Sequence, residues 1–305
     1  MPKVLRFTEY GGPETQELVE LPVPEPGPSE LLVKVRAAGV NPVDAKLRLG
    51  LLREYLPLDL PAEMGSEVSG IVEAVGLDVT GFAVGDEVFG SPAPGHGGFS
   101  EYTVTTAHAT AKKPTHVSFL QAATLPVAGA TAYDGVTQLG LAQGQTLLIN
   151  GIGGGVGVVA AQLARDAGLA VFGTGSEGKR ALAESLGATL VPSGDGVEAR
   201  VRELLPDGVD GVLDLVGGDA LRAVAGLVDP GKLVSAADAA TVTELGGAPV
   251  ERDRTARVLD RLATLVADGK VDPHVGDVLS LDDAAHAVAA VESGHALGKV
   301  VVRVS

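Results

Sequence analysis

The sequence predicts an α/β protein in two parts, a compact β-barrel followed by a parallel, doubly wound sheet. Up to about residue 120, short β-rich runs are separated by glycine turns, a pattern typical of a barrel. After Pro126, strand and helix patterns alternate, as they do in repeated βαβ units. At residues 146–157, TLLINGIGGGVG, a strand pattern runs directly into a glycine-rich turn, and a helix pattern follows. The barrel is therefore expected to precede the layered sheet.

Length and composition limit the possible classes of protein. The 305 residues can form about two domains. The formal net charge is −16, which argues against nucleic acid or an anionic membrane as the main partner. Because the chain has no cysteine, disulfides, thiolate zinc sites and a cysteine nucleophile are excluded. No apolar run approaches the roughly 18 residues of a membrane span, so we expect a soluble, cytoplasmic protein.

Five strands are predicted in the first part from β-rich runs bounded by turn signals. They lie at 4–7, 31–37, 70–76, 85–90 and 97–104. The closely spaced prolines of segment 22–28 preclude a helix and favour an extended surface loop.

The second part is predicted to alternate strands with helices on both faces of one sheet. The strands lie at 147–150, 170–173, 188–191, 211–216 and 232–235. The helices between them end near 168 or lie at 179–186, 197–205 and 220–227. Two further helices, 255–268 and 281–293, precede a last strand at 299–304. Because no helix follows that strand, we expect it to return to the first part.

The glycine turn is the strongest candidate binding site. Glycines let a backbone approach an anion without a Cβ between them, and the first N–H groups of the following helix supply donors at its positive end. A strand, a glycine turn and a helix in this order therefore predict a cradle for a pyrophosphate. Its candidate residues are Gly151, Gly153, Gly154, Gly155, Val156 and Gly157.

Five short motifs in a fixed order carry a family resemblance. They are AGVNPVD at 38–44, GSEVSGIV at 65–72 continuing to VGDEV at 84–88, GATAY at 129–133, the glycine turn, and GKVV at 298–301. With these motifs the chain resembles the medium-chain dehydrogenase/reductase superfamily, and within it the zinc-free quinone oxidoreductase branch related to zeta-crystallin. In that branch the turn ends Gly-Gly-Val-Gly, as here at 154–157, and Ile152 stands where a strict G-x-G-x-x-G has its first glycine.

The resemblance implies a division into domains. A GroES-like, partly open β-barrel forms the catalytic domain over residues 1–121, and a Rossmann dinucleotide-binding domain covers 122–255. Residues 256–305 return to the catalytic domain. The resemblance also implies a homodimer joined through the edges of the Rossmann sheets, for which 246–252 is the candidate segment.

The residues after the second predicted strand favour NADPH over NADH. A carboxylate at the end of this strand would select NAD, but here the strand leads to Ser176. A small hydroxyl leaves room for a 2′-phosphate, and Lys179 and Arg180 follow to neutralise it. Glu177 is the opposing observation, because it could bind the ribose as in NAD enzymes. Alternatively, Lys179 and Arg180 only form a solvated helical turn, although cations are not favoured near a helix N-terminus.

The resemblance also bears on zinc and on the reaction. The positions that bind catalytic zinc in the zinc-dependent alcohol dehydrogenases are Asn41, Ser66 and Val127 here, so no metal site is expected. Without a Lewis acid nothing would stabilise an alkoxide, which disfavours alcohol oxidation. We therefore expect an NADPH-dependent oxidoreductase that transfers a hydride to a quinone or an α,β-unsaturated carbonyl.

Four residues of the first part are catalytic candidates. By resemblance, Asn41 would hydrogen-bond the substrate oxygen or the nicotinamide ribose, and Asp44 would hold the barrel loop or the substrate. Lys46 and Tyr55 lie near the positions where bacterial relatives often place tyrosines; Lys46 could donate to a carbonyl or simply extend from a surface turn. Alternatively, 41–44 is only a good turn for starting a helix, with Asn or Asp as the cap and Pro in the first turn.

Four residues of the second part are candidates by resemblance. Thr131 would contact the nicotinamide, while Asp214, Val216 and Gly217 would line the cofactor site at the end of a parallel strand. Asp214 could instead only cap that strand.

Two other functions remain open. One is an enoyl thioester reductase, although the acidic sequence offers no obvious basic track for a phosphopantetheine arm. The other is a protein that binds NADPH without turnover, because no clear general acid stands out. The sequence identifies neither the acceptor nor the source of the proton.

Overall fold

The computed structural model describes residues 1–304, and the chain divides into two compact units. The first unit contains Met1–Val127, Arg254–Ala267 and the segment that starts at His274. The second unit contains Ala128–Asp253 and Asp268–Pro273. Among residues 1–304, no helix has both the length and the apolar character that a membrane crossing requires.

The first unit begins with seven strands and two short helices. The strands are β1 (Lys3–Phe7), β2 (Gln16–Glu20), β3 (Glu30–Gly39), β4 (Ala62–Glu63), β5 (Glu67–Val75), β6 (Glu87–Pro92) and β7 (Tyr102–Lys112). The helices are α1 (Pro42–Arg48) and α2 (Phe119–Ala122).

The second unit alternates strands and helices. Its strands are β8 (Thr146–Asn150), β9 (Ala170–Gly175), β10 (Thr189–Pro192), β11 (Gly211–Asp214), β12 (Leu233–Ser235) and β13 (Ala248–Pro249). Its helices are α3 (Ala130–Leu139), α4 (Gly155–Asp166), α5 (Arg180–Ser185), α6 (Val197–Leu204), α7 (Gly218–Ala225) and α8 (Ala239–Glu244).

The C-terminal elements belong to the first unit. They are α9 (Ala256–Ala267), β14 (Val275–Ser280), α10 (Ala284–Glu292) and β15 (Lys299–Arg303). Strand β15 pairs antiparallel with β3, Val301 opposite Gly39, and parallel with β14. The last strand therefore extends the sheet that the N-terminal strands began.

Hydrogen bonds between strands form a barrel in the first unit. The large sheet has the order β14-β15-β3-β5-β6-β7, and an additional pairing of β3 with β7 closes four of these strands into a ring. A small sheet, β2-β1-β4, lies beside it in the same unit. Aliphatic side chains fill the interior because the chain has few aromatic residues.

The sheet of the second unit has the order β10-β9-β8-β11-β12-β13, and every pairing in it is parallel. The strand order reverses direction next to β8, the point at which parallel sheets of this class bind ligands. The predicted fold class, a barrel followed by a doubly wound parallel sheet, is thus confirmed.

One predicted strand is wrong in its first half. The run predicted at 97–104 starts as a loop, and β7 begins only at Tyr102. A Cβ on Gly97 would lie 2.3 Å from the carbonyl oxygen of Met64, and Gly98 N–H donates to Gly65. These glycines are therefore used for close backbone packing.

Candidate functional site

The glycine turn of the second unit connects β8 to α4. Gly151 has a φ of 97°, which favours glycine, and a Cβ on Gly157 would lie 2.6 Å from the carbonyl oxygens of Gly151 and Ile152. The first bond of α4 is donated by Val158 to Gly154, so the N–H groups of residues 155–157 have no acceptor within the helix. The turn thus has the close approach and the donors that a pyrophosphate requires.

Polar side chains join the carboxyl ends of four adjacent strands beside this turn. Thr174 on β9 donates to Asn150 on β8 at 2.5 Å, and Asn150 donates to Asp214 on β11 at 2.7 Å. Ser235 on β12 donates to the other oxygen of Asp214 at 2.6 Å. All four side chains are buried. Sequence reasoning selected only Asp214. The signal it overlooked is that β8 and β12 also end in a polar residue, and that β9 has one at its penultimate position.

Asp214 also holds the loop after β11. Its carboxylate accepts the N–H of Val216 at 3.2 Å and that of Gly217 at 3.1 Å. Gly217 has a φ of 82°, and the side chain of Val216 is 53% exposed. Because protein donors surround the carboxylate, Asp214 shapes the ligand-facing loop and strand ends through its hydrogen bonds.

Lys179 is the cation that the structure brings to the glycine turn. A Cβ on Gly153 would lie 2.2 Å from the Cδ of Lys179, so the lysine stem lies across the turn. Partial burial lowers the pKa of its ammonium. Ser176, exposed, precedes the 3₁₀ turn Glu177–Lys179.

Arg180 and Glu177 bind each other. The guanidinium makes a bidentate contact with the carboxylate, one bond measuring 2.9 Å, and this contact lowers the pKa of Glu177. Arg180 also lies 3.6 Å from Glu184. The structure therefore brings Lys179, and not Arg180, to the turn. Arg180 instead binds the carboxylate of Glu177, which would otherwise favour NAD.

Thr131 lies on α3, where it accepts a hydrogen bond from Arg252. Arg252 also pairs with Asp134 at 3.3 Å, and Asp134 accepts the N–H of Asp253 at 3.0 Å. Burial raises the pKa of Asp134, opposed by the bonds from Asp253 and Arg252. Sequence reasoning did not identify these two partners. Arg252, 121 residues further along the chain, bonds Thr131 directly, and Asp134 holds Arg252.

In the first unit, the turn 41–44 starts α1 and buries a carboxyl group. Asp44 accepts the N–H of Asn41 at 2.8 Å on one oxygen and the hydroxyl of Ser66 at 2.6 Å on the other. Burial raises the pKa of Asp44 to about 6, against the opposing effects of these hydrogen bonds and of Lys299.

The side chain of Asn41 belongs to a buried ionic network. The ammonium of Lys299 donates to Glu67 at 2.7 Å, and to the Oδ1 of Asn41 and the carbonyl of Val40 at 2.8 Å. Asn41 Nδ2 donates to the same oxygen of Glu67 at 2.8 Å, while the other oxygen accepts the N–H of Val127 at 2.8 Å. Helix initiation is therefore not the whole role of Asn41.

The positions that the family resemblance aligns with zinc ligands are occupied by other contacts. Asn41 and the Val127 N–H bond Glu67, and Ser66 bonds Asp44. The Lys299 ammonium already neutralises Glu67, and it would repel a divalent cation. In residues 1–304 no group of three or more histidine, aspartate or glutamate side chains is arranged to hold a metal ion.

The structure does not bring all four predicted catalytic residues together. Asn41 and Asp44 are buried neighbours, whereas Tyr55 is 84% exposed in the turns after α1. Lys46 is partly exposed on α1. The residues that join Asn41 and Asp44 are instead Ser66, Glu67 and Lys299; all three lie in motifs of the family resemblance, but only Ser66 had been considered, as a lost zinc position.

Comparisons with known proteins agree with this geometry. The family model for the alcohol dehydrogenase GroES-like domain matches residues 27–115, and a model described as zinc-binding dehydrogenase matches residues 186–302. The chain is 35% identical to the 2-methylene-furan-3-one reductase of Solanum lycopersicum, over 98% of this chain and 78% of that protein. It is 34% identical to the chloroplastic NADPH-dependent alkenal/one oxidoreductase of Arabidopsis thaliana, over 97% and 78%. The solved quinone oxidoreductase from Coxiella burnetii superposes with a TM-score of 0.89 at 32% identity, over 100% and 99%.

Proposed function

We propose roles for the residues described above on the premise that this chain belongs to the zinc-free quinone oxidoreductase branch of the medium-chain dehydrogenase/reductase superfamily. The protein is an NADPH-dependent oxidoreductase that reduces a quinone or an α,β-unsaturated carbonyl. When bound, NADPH supplies the hydride, and the protein supplies binding, orientation and protons. The observation that carries the assignment is a glycine cradle crossed by a lysine, in a chain whose relatives include an NADPH-dependent alkenal/one oxidoreductase and a quinone oxidoreductase.

The second unit would hold the dinucleotide. The N–H groups of residues 155–157 would bind the pyrophosphate, and Lys179 would neutralise the 2′-phosphate beside Ser176. Val216 and Gly217, held by Asp214, would line the site, and Thr131, fixed by Arg252, would contact the nicotinamide.

The first unit would bind the acceptor oxygen. Lys299 fixes Oδ1 of Asn41, and Glu67 takes one of the two Nδ2 hydrogens. The second hydrogen has no acceptor among the described residues, so it can be donated to a carbonyl oxygen of the substrate. A donor held in place by a buried ion pair loses little freedom when it binds. Lys46 and Tyr55 would contact the acceptor only at the outer end of its site.

Location and assembly are also proposals. An acidic, cysteine-free composition supports a cytoplasmic protein with small-molecule partners, and family membership supports a homodimer.

The decisive assay follows NADPH oxidation by absorbance with a panel of quinones, enones and short enoyl thioesters. We expect consumption with quinones or enones and little with the thioesters. If NADPH binds tightly and none of the acceptors is reduced, the protein is a binder. Reduction of the thioesters alone would identify an enoyl thioester reductase.

A further inference from the structure

Asp44 and Ser66 connect the buried interior of the first unit to its surface. The carboxyl of Asp44 is 2% exposed, whereas Ser66 is partly exposed. The Ser66 hydroxyl donates to Oδ1 of Asp44 at 2.6 Å, and the other oxygen, Oδ2, accepts the buried N–H of Asn41. The accessible partner of this carboxyl is therefore a hydroxyl, a group that can both donate and accept a proton.

Two charged groups of opposite sign lie near Asp44. Lys299 on β15 donates its three hydrogens to Val40, Asn41 and Glu67, so it makes no hydrogen bond to Asp44, but its positive charge favours ionisation of the carboxyl. Glu67 on β5 is a like charge that disfavours ionisation, and burial outweighs the effects that favour it. From α10, which packs on α1, Glu292 is paired with Arg48 at 2.7 Å, and His286 is exposed.

These surroundings determine how much of the Asp44 carboxyl is protonated near neutral pH. Burial raises the pKa of Asp44 to about 6. A useful fraction of the group is therefore protonated close to neutrality, as a general acid requires.

We propose that Asp44 and Ser66 form the proton relay of the reduction, with Ser66 as the group that protonates the acceptor oxygen. The inference rests on the proposed function, because that reduction consumes one proton for each hydride. The hydride brings two electrons to the acceptor and leaves a negative charge on its oxygen. The Ser66 O–H proton passes to this oxygen, forming an O–H bond, while the acid proton of Asp44 passes to Ser66 Oγ. Asp44 is left as a carboxylate, which takes a proton from solvent before the next turnover.

A purely structural role for the pair predicts different behaviour. Asp44 also accepts the Asn41 N–H in the first turn of α1, and a cap alone would affect folding and substrate binding. A relay affects the proton-transfer step, so it changes the pH dependence and the solvent isotope effect of kcat.

The test measures kcat for quinone reduction between pH 5 and 9, in H₂O and D₂O, for wild type and for Asp44→Asn, Ser66→Ala and Ser66→Thr. We expect the wild-type kcat to fall as pH rises through about 6. Asp44→Asn and Ser66→Ala should lower kcat on the order of 100-fold and remove this pH dependence. Ser66→Thr keeps the hydroxyl and should restore most of the rate with the wild-type profile.

Ser280 and Asp283 provide matched controls, because this exposed pair has the same 2.6 Å hydrogen bond in the same unit. Ser280→Ala and Asp283→Asn should leave kcat and its profile unchanged. Infrared titration of the protonated carboxyl band, as the difference between wild type and Asp44→Asn, gives a readout that does not depend on activity. It should show a carboxyl that titrates near pH 6.

The relay is refuted if Asp44→Asn and Ser66→Ala keep the wild-type pH profile and isotope effect, since the proton would then come directly from solvent. A loss confined to KM would likewise assign the pair to substrate positioning. These outcomes differ from a failure of the proposed function, in which the wild-type protein itself would reduce no acceptor.

Discussion

At the residue scale, Lys179 is the side chain that should determine the choice of cofactor. Its stem lies across Gly153, and the carboxylate of Glu177 in the same segment binds Arg180 instead. Removing a charge-assisted hydrogen bond to a phosphate costs about 1.5–3 kcal/mol. Lys179→Ala should therefore weaken NADPH binding about 10- to 100-fold and leave NADH nearly unchanged, as measured by fluorescence titration.

An arginine elsewhere in the second unit is the control for this measurement. Arg202→Ala removes a cation that is paired with Glu198 at 2.9 Å, so it should change the NADPH affinity much less. Equal losses for NADPH and NADH in Lys179→Ala would contradict the assignment of this lysine to the 2′-phosphate.

The buried carboxyl of Asp44 should make stability depend on pH. Burial raises its pKa from 3.8 to about 6 in the folded protein, which therefore binds more protons than the unfolded chain between these values. The free energy of unfolding then decreases as pH rises through this window, by about 3 kcal/mol in total. The Asn side chain of Asp44→Asn cannot ionise, so the variant should gain about this much stability relative to wild type between pH 4 and pH 8. Urea unfolding at both pH values measures the difference in free energy of unfolding between the two proteins. If that difference is the same at pH 4 and pH 8, the pH dependence does not come from Asp44.

Sequence reasoning found only part of this residue-level arrangement. Asn41 and Asp44 follow from one motif, because a helix-start turn is local. Glu67 and Lys299 bind Asn41 from 26 and 258 residues away, and only the pairing of β3 with β5 and β15 brings them together. A motif gives residue types, whereas this network depends on the register of three strands.

At the scale of elements, the ion pair between β5 and β15 should stabilise the first unit. Both partners are nearly fully buried, so removing one leaves an uncompensated buried charge, which costs about 3–5 kcal/mol. Lys299→Met and Glu67→Gln should each lower the free energy of unfolding by about this amount. The double variant should lose less than the sum of the two, because it leaves no unpaired charge.

The exposed pair Arg222–Glu244 provides the comparison. Its N···O distance is 2.6 Å, similar to the buried pair, but its side chains are 44% and 64% exposed. Arg222→Met and Glu244→Gln should each lower the free energy of unfolding much less than Lys299→Met and Glu67→Gln in the same denaturation assay, because water already solvates the exposed charges. If the buried and exposed pairs cost the same, burial is not what makes the Lys299–Glu67 pair important.

The elements themselves were largely predictable where local patterns were strong. The alternation after Pro126 gives β8 to β12, and the lack of a helix after the final strand anticipates its pairing with β3. The first half of the predicted strand 97–104 fails because Gly97 and Gly98 serve backbone contacts with residues 64 and 65. Such contacts leave no periodic signal in the sequence.

At the scale of the whole molecule, a net charge of −16 makes local donors essential for binding a phosphorylated cofactor. The protein field opposes the approach of an anion, and it extends about 8 Å into solvent at physiological ionic strength. The backbone N–H groups of residues 155–157 and Lys179 act within hydrogen-bonding distance, where screening is weak. This separation explains why the overall charge argues against nucleic acid as the main partner without arguing against NADPH.

Assembly is the other property of the whole molecule, and Gln138 should control it at the edge of the parallel sheet. The proposed dimer segment 246–252 contains β13, the edge strand beside β12. Gln138 donates to the carbonyl of Pro249 at 3.0 Å and accepts the N–H of Glu251 at 2.9 Å. The Val250 N–H between them bonds to Ser235 of β12, so the Pro249 carbonyl and the Glu251 N–H face away from the sheet. The glutamine therefore binds the two backbone groups that a partner strand would use.

Gln138→Ala should therefore expose two backbone groups and tighten a dimer joined at this edge. Two hydrogen bonds, each worth about 0.5–1.5 kcal/mol, correspond to a roughly 5- to 100-fold lower dissociation constant. Light scattering across a dilution series measures this dissociation constant, with the dimer at twice the 30.7 kDa mass of the chain.

Gln143→Ala is the control, because it removes an exposed glutamine of the same unit and should leave the dissociation constant unchanged. If Gln138→Ala leaves the dissociation constant unchanged, the subunits associate elsewhere; a wild-type mass of one chain at every concentration would exclude the homodimer itself.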